Sequence, residues 1–350
     1  MTRIERIRGC LLGGAVGDAL GAPVEFMDWL AIRAQFGPDG IADFVPVYGR
    51  LGAVTDDSQM MLFTAEGLLR AYVRGSTKGI CHAPSVIHHA LMRWYVTQGG
   101  QPLMEVGQDG WLIEQQELWS RRAPGLTCLS ALRGALQFGE LAKNDSKGCG
   151  GVMRVAPCAF FGNAFEFAAD STQLTHGHPT GYLAAGMFAD ILQRLDVSGC
   201  ALQLAINQSL EAYGQLPGMD ETRLKVERVL SFYHAGTLPT PEGIAELGGG
   251  WIAEEALSIG LWCALMAETF EQGVLWAVNH SGDSDSTGLI AGHLLGMQFG
   301  GEGIPERWLC NLELREVIEQ VAEDIERVPQ QYCGDGGEHD DTIWTRYPGW

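Results

Sequence analysis

The chain has 350 residues, 46% of them hydrophobic, which is enough to build one large or two ordinary domains around a buried core. Forty-three acidic residues against 23 Lys and Arg give a formal net charge of -20, which argues against a nonspecific grip on nucleic acid or on an anionic membrane. Nine cysteines (Cys10, Cys81, Cys128, Cys149, Cys158, Cys200, Cys263, Cys310 and Cys333) are odd in number, widely spaced and contain no Cys-x-x-Cys pair. That usage predicts reduced, mostly buried thiols in the cytosol.

At the N-terminus, Arg3, Arg6 and Arg8 precede an apolar stretch from Gly9 to Val16 that mimics a secretory signal, until Asp18 cuts it short. Gly13, Gly17 and Gly21 in GGAVGDALGAPVE recur every fourth residue and would share one face of a helix. Because each Gly costs about 1 kcal/mol against Ala inside a helix, three of them imply a close approach, by another helix or by a ligand. Asp18 and Glu25 either project toward a functional cavity or serve as ordinary cap and surface groups.

Helical signals follow over Met60 to Val73, Pro84 to Val96, Cys128 to Leu141, Gly181 to Leu195, Ala201 to Tyr213, Ile252 to Phe270, Gly288 to Phe299 and Asn311 to Ile325. Segments rich in Gly and Pro (Gly37 to Gly52, Gly99 to Gly110, Gly214 to Asp220, His234 to Gly250) read as loops joining packed helices. Strand signals are weak, and no apolar run approaches the roughly 20 residues of a membrane span. The chain reads as all-α, soluble and cytoplasmic.

Two acidic clusters each stand directly before a predicted helix: Thr55-Asp56-Asp57-Ser58 and Asp283-Ser284-Asp285-Ser286. Ser, Thr and Asp are favoured helix caps, so either cluster alone is ordinarily a solvated cap. Together they offer four carboxylates and several hydroxyls, all hard oxygen donors. Converging in one cavity, they would repel one another unless divalent cations neutralised them. An EF-hand reading of the second cluster fails, since Leu294 stands where that loop needs its bidentate Glu.

Between the clusters, NDSKGCGGVMRVAP (Asn144 to Pro157) places Gly148, Gly150 and Gly151 where their amides, with Lys147 or Arg154, could hold phosphate; a loop before a buried helix, with Arg154 in an ion pair, fits equally. His176 and His178 in THGHP read first as a surface turn that could supply a hydrogen bond or a proton. No His-Glu-x-x-His or Gly-x-Ser-x-Gly element is present, which leaves a zinc protease and an α/β-hydrolase unsupported. In the tail from Cys333 to Trp350, aromatic residues suit anchoring to the core, and His339, Asp340 and Asp341 read as an acidic turn.

Taken in order, GCLLGGAVGDALGAPVEF, GAVTDDSQMML, GCGGVMRVAP, a His-containing turn and NHSGDSDSTGLIAG resemble the ADP-ribosylglycohydrolase family over about residues 4 to 300. The resemblance implies a compact single domain over 1–350, an orthogonal helical bundle with two Mg2+ or Mn2+ ions at its centre. Carried over by motif, Thr55, Asp56, Asp57, Asp283, Asp285 and Ser286 would be metal ligands. Glu25 and Asp57 would carry acid-base chemistry, and Gly148, Gly150, Gly151, Met153 and His176 would line the ADP-ribose cleft. Ser58 and Ser286 stand where the family commonly has Thr; Ser keeps the oxygen with looser rotamer control, and Thr287 is a substitute hydroxyl.

The implied activity is hydrolysis of the bond between ADP-ribose and a protein side chain, arginine above all. The alternatives are a hydrolase of small ADP-ribose conjugates and a binding partner that neutralises an ADP-ribosyltransferase, as in toxin immunity.

Overall fold

Thr2 opens the first helix with a capping box, its hydroxyl accepting the Glu5 N–H while the Glu5 carboxylate accepts the Thr2 N–H. This computed structural model describes residues 1–332 and 341–349; His339 and Asp340 therefore lie outside it. Sixteen α-helices occur among the described residues: α1 (Arg3–Gly21), α2 (Trp29–Phe36), α3 (Asp56–Lys78), α4 (Ala83–Thr97), α5 (Leu126–Gly134), α6 (Ala164–Gln173), α7 (Pro179–Ser198), α8 (Leu202–Tyr213), α9 (Asp220–His234), α10 (Pro241–Leu247), α11 (Ala253–Met266), α12 (Phe270–Val278), α13 (Ser284–Phe299), α14 (Glu306–Leu309), α15 (Arg315–Gln331) and α16 (Asp341–Arg346). No strand is present among them, only isolated bridges between Val47 and Arg50 and between Gly148 and Ile252.

The glycine stripe is explained by packing. A Cβ on Gly9, Gly13, Gly17 or Gly21 would collide with the carbonyl oxygens of Gly296, Gly292, Gly288 and Ser284 respectively. The pairs run in opposite directions, so α1 and α13 are antiparallel with backbones in direct contact, the most extensive helix pair of the fold. Both helices are buried through most of their length. Around this pair pack α3, α7, α11, α12 and α15, and α3 pairs with α4. At the far end of the chain, Tyr347 is fully buried and donates to Asp324 at 2.8 Å, the aromatic anchoring expected of the tail.

Three sequence expectations need correction. The helix expected to run to Leu141 stops at Gly134, because Ala135 turns to an extended backbone. The helix expected over Ile252 to Phe270 is two: α11 ends at Met266, and the Thr269 hydroxyl caps α12 by accepting the Gln272 N–H. The stretch from His234 to Gly250 contains α10, started by Thr240 with Pro241 in its first turn. The helix α9 also forms where no helical signal was taken; its charged surface (Asp220, Glu221, Arg223, Glu227, Arg228) masks the apolar stripe of Val226, Val229 and Leu230.

Candidate metal centre and cleft

The register of α1 against α13 sets Gly21 opposite Ser284, so the C-terminal end of α1 meets the N-terminal end of α13. The N-terminus of α3 joins them through Asp18. Its carboxylate accepts the Thr55 N–H at 3.0 Å, the Ser58 N–H at 3.1 Å and the Ser58 hydroxyl at 2.5 Å, so Asp18 caps α3 from another helix. The Ser286 hydroxyl then donates to Asp57 Oδ1 at 2.8 Å, tying the two acidic clusters together. Thr55 is fully buried behind them, and its hydroxyl accepts the Asp57 N–H at 3.3 Å.

These residues border a cavity of ≈ 290 Å3 whose walls include Glu25, Asp56, Asp57, Asp283, Asp285 and Ser286. Its lining also carries Gly148, Gly150, Met153 and His176, together with Cys128 and Cys149. Gly151, assigned to the cleft from sequence, does not line it: a Cβ there would strike Thr172, so that glycine serves packing.

His176 is not on a surface turn. It is buried, its Nδ1 lies 2.8 Å from the Thr175 hydroxyl, and burial with the nearby Arg154 charge lowers its pKa to about 3, so the ring is neutral. His178 caps α7, accepting the Thr180 N–H at 3.1 Å. Neither basic candidate of the glycine-rich loop reaches the cavity for phosphate. Lys147 pairs with Glu221 and Glu254. Arg154 is fully buried and donates to the carbonyls of Gly150 and Ser171 and to the Thr175 hydroxyl, with no carboxylate in reach. Thr287 is equally committed, its hydroxyl 2.8 Å from the Ala277 and Asp283 carbonyls and 2.9 Å from His280, which leaves Ser286 as the hydroxyl facing the cavity.

Several members of the site escaped the sequence reading. Glu313, just before α15, accepts the Val54 N–H at 3.0 Å and pairs with Arg122 and Arg50, fixing the approach to Thr55. The segment around Gly125, ahead of α5, closes one side: its N–H donates to Asp56 Oδ2 at 3.2 Å. The turn chemistry of Ala123-Pro124-Gly125 was the available signal for it. Trp251 also lines the cavity and stacks on the exposed Phe26 with ring centroids 5.8 Å apart.

The electrostatics of the centre are one-sided. Burial, then repulsion from Asp285, raises Asp18 to about 7, and burial with Asp285 and Asp283 raises Glu25 to about 10. Asp56, Asp57 and Asp283 are pushed well above the carboxylate range by burial and by Asp285, and Asp285 is raised by burial. None of the six forms a salt bridge.

The family profile described as ADP-ribosylglycohydrolase matches residues 1–334. The chain belongs to the ADP-ribosylglycohydrolase family. It is similar to the ADP-ribosyl-[dinitrogen reductase] glycohydrolase of Rhodospirillum rubrum, with 25% identity over 91% of this chain and 94% of that protein. It is also similar to the ADP-ribosylarginine hydrolase Tri1 of Serratia proteamaculans, at 24% identity over 92% and 79%. A solved structure titled ADP-ribosylglycohydrolase-related protein complex matches with a TM-score of 0.65 at 27% identity, covering 93% of this chain and 98% of that one.

The residues of this glycohydrolase fit a cation. Glu25, Asp283 and Asp285 each offer a carboxylate oxygen, all within 4.8 Å of one another. Glu25 is only 6% exposed, and its Oε2 has no hydrogen-bond partner. Six buried, unpaired acids cost several kcal/mol each as anions without a compensating positive charge. No helix among the described residues is long and apolar enough to cross a membrane.

Proposed function

We propose that this ADP-ribosylglycohydrolase removes ADP-ribose from ADP-ribosyl-arginine on proteins, reversing mono-ADP-ribosylation, with the chain acting as one catalytic domain. The observation that carries this reading is the cavity walled by buried carboxylates without counter-ions, among them Glu25 with an unpartnered buried oxygen. Such an oxygen-only set suits two hard divalent cations, Mg2+ or Mn2+, held by Asp56, Asp57, Asp283, Asp285 and Ser286, with the Thr55 hydroxyl behind them. Bound there, they supply Lewis-acid fixation of the ribose hydroxyls.

The protein side chains have separate tasks. Glu25, whose burial favours the protonated form, donates to the departing guanidine nitrogen as the C–N bond breaks. Asp57, oriented by the Ser286 hydroxyl, takes the proton of the attacking water as the ribose becomes oxocarbenium-like. Gly148 and Gly150 give the ADP portion a wall without side chains, and neutral His176 offers a hydrogen bond beside them. An arginine-linked acceptor is in line with the name of the Serratia relative. Leu126 and Trp251, exposed where they line the cavity, give a protein acceptor apolar contacts.

The test is release of ADP-ribose from an arginine-ADP-ribosylated protein, with Mg2+ or Mn2+ and with chelator. Metal-dependent release that disappears in Asp56→Ala and Asp285→Ala supports the assignment. Release only from small ADP-ribose conjugates, or no release with metal still bound, would replace it with the small-substrate or transferase-binding reading.

A further inference from the structure

Cys149 is the thiol in the wall of the acid cavity that touches a carboxylate. Its thiol donates to Asp283 Oδ2 at 2.8 Å. One backbone segment holds both residues: the Cys149 N–H donates to the Trp251 carbonyl at 3.1 Å, and the Asp283 N–H donates to the Gly249 carbonyl at 2.8 Å. Gly282, with φ at 149°, permits that approach, since a Cβ there would overlap Gly249. Asp283 also belongs to the trio whose ligand oxygens lie within 4.8 Å of one another, and Glu25, whose buried Oε2 has no partner, lines the same cavity. The Cys149 sulfur stands next to this trio through Asp283 alone, so a cation drawn toward Asp283 Oδ2 meets sulfur as well as oxygen.

Hard ions such as Mg2+ have no use for that sulfur, whereas zinc and cadmium do. We propose that Cys149 serves as a fourth ligand for thiophilic divalent ions, which occupy the centre through Glu25, Asp283, Asp285 and the Cys149 sulfur and displace the hard ions. This rests on the reading of the cavity as a metal centre. On binding, the S–H bond breaks, its proton leaves to solvent and a sulfur–metal bond forms, with no change of oxidation state. A site closed by four protein ligands leaves no open position, so zinc inhibits the hydrolase.

The experiment titrates the full-length, chelator-treated protein with Cd2+, following sulfur-to-cadmium charge-transfer absorption, beside a calorimetric Mn2+ titration. In the native protein the band saturates at one equivalent of Cd2+. Cys149→Ser loses the band and weakens Cd2+ binding roughly 10–100-fold more than it weakens Mn2+ binding, and the remaining Mn2+ binding reports a folded site. Cys149→Ala, run in parallel, gives the same contrast if serine disturbs Asp283. Cys310→Ser, at the exposed thiol beside Glu306, leaves the band intact. A band that persists in both Cys149 variants, or equal Cd2+ affinity in variant and native proteins, overturns the proposal. Native protein that binds Cd2+ with the band but not Mn2+ would overturn the hard-ion reading and leave the sulfur ligand standing; binding of neither ion would sink both.

Discussion

The Ser286 hydroxyl donates to Asp57 across 2.8 Å, between residues 229 positions apart. This bond joins the two acidic clusters and orients the carboxylate assigned to water activation. Ser286→Ala should therefore weaken Mn2+ binding by roughly 10–100-fold, the usual cost of losing a group that orients a metal ligand. Ser286→Thr should keep the affinity. Calorimetric titration of the three proteins decides it; equal affinity for alanine and serine would remove Ser286 from the centre.

The α1–α13 contact predicts an asymmetric response to the same substitution at two glycines. Gly17→Ala drives a methyl into the Gly288 carbonyl and must push the helices apart, at a cost of about 1–3 kcal/mol or more. Gly75→Ala, on α3, meets only Cys81 at 3.7 Å and should stabilise by about 0.4–1 kcal/mol. Urea unfolding of both variants measures the difference. Because Asp18 and Asp285 ride on the two helices, Gly17→Ala should also reduce metal affinity.

Removing metal should give the protein an inverted stability profile with pH. Asp18, raised to about 7, and Glu25, raised to about 10, bind more protons folded than unfolded, where carboxyls titrate near 4. The unfolding free energy of the metal-free protein must then fall as pH rises from the ordinary carboxylate range through these folded values. Melting in chelator should show Tm decreasing between about pH 5 and pH 9. Saturating Mn2+ should oppose the decrease, adding about 2.7 kcal/mol at a hundredfold excess over Kd. A metal-free Tm that climbs across this window would contradict the raised values.

Glu313 supports the site from the far end of the chain. It is buried, pairs with Arg122 and Arg50, and holds the Val54 N–H next to Thr55. Glu313→Ala strands the buried Arg122 and should destabilise the fold by about 3–5 kcal/mol. Glu313→Gln keeps an acceptor for Val54 and should fold better than alanine while binding metal less well than the native chain. Identical melting of Glu313→Ala and native protein would show that the pair contributes nothing.

The sequence by itself determined what is local. Thr, Ser and Asp before an apolar run start a helix wherever it is placed, so the beginnings of α3 and α13 and their oxygen chemistry were readable at Thr55 and Asp283. Glycines at a spacing of four announced a close approach, because nothing else repays their cost in a helix. Only the tertiary structure decided what met what. Packing placed Asp18 beneath α3 as a cap, buried His176 away from the surface and set Gly151 against Thr172. It also put the Cys149 sulfur on Asp283 and brought Glu313 back to Val54. Caps and helix periodicity arise from neighbours within a turn, whereas side-chain partners hundreds of residues apart depend on how whole helices interlock, which no short stretch of sequence encodes.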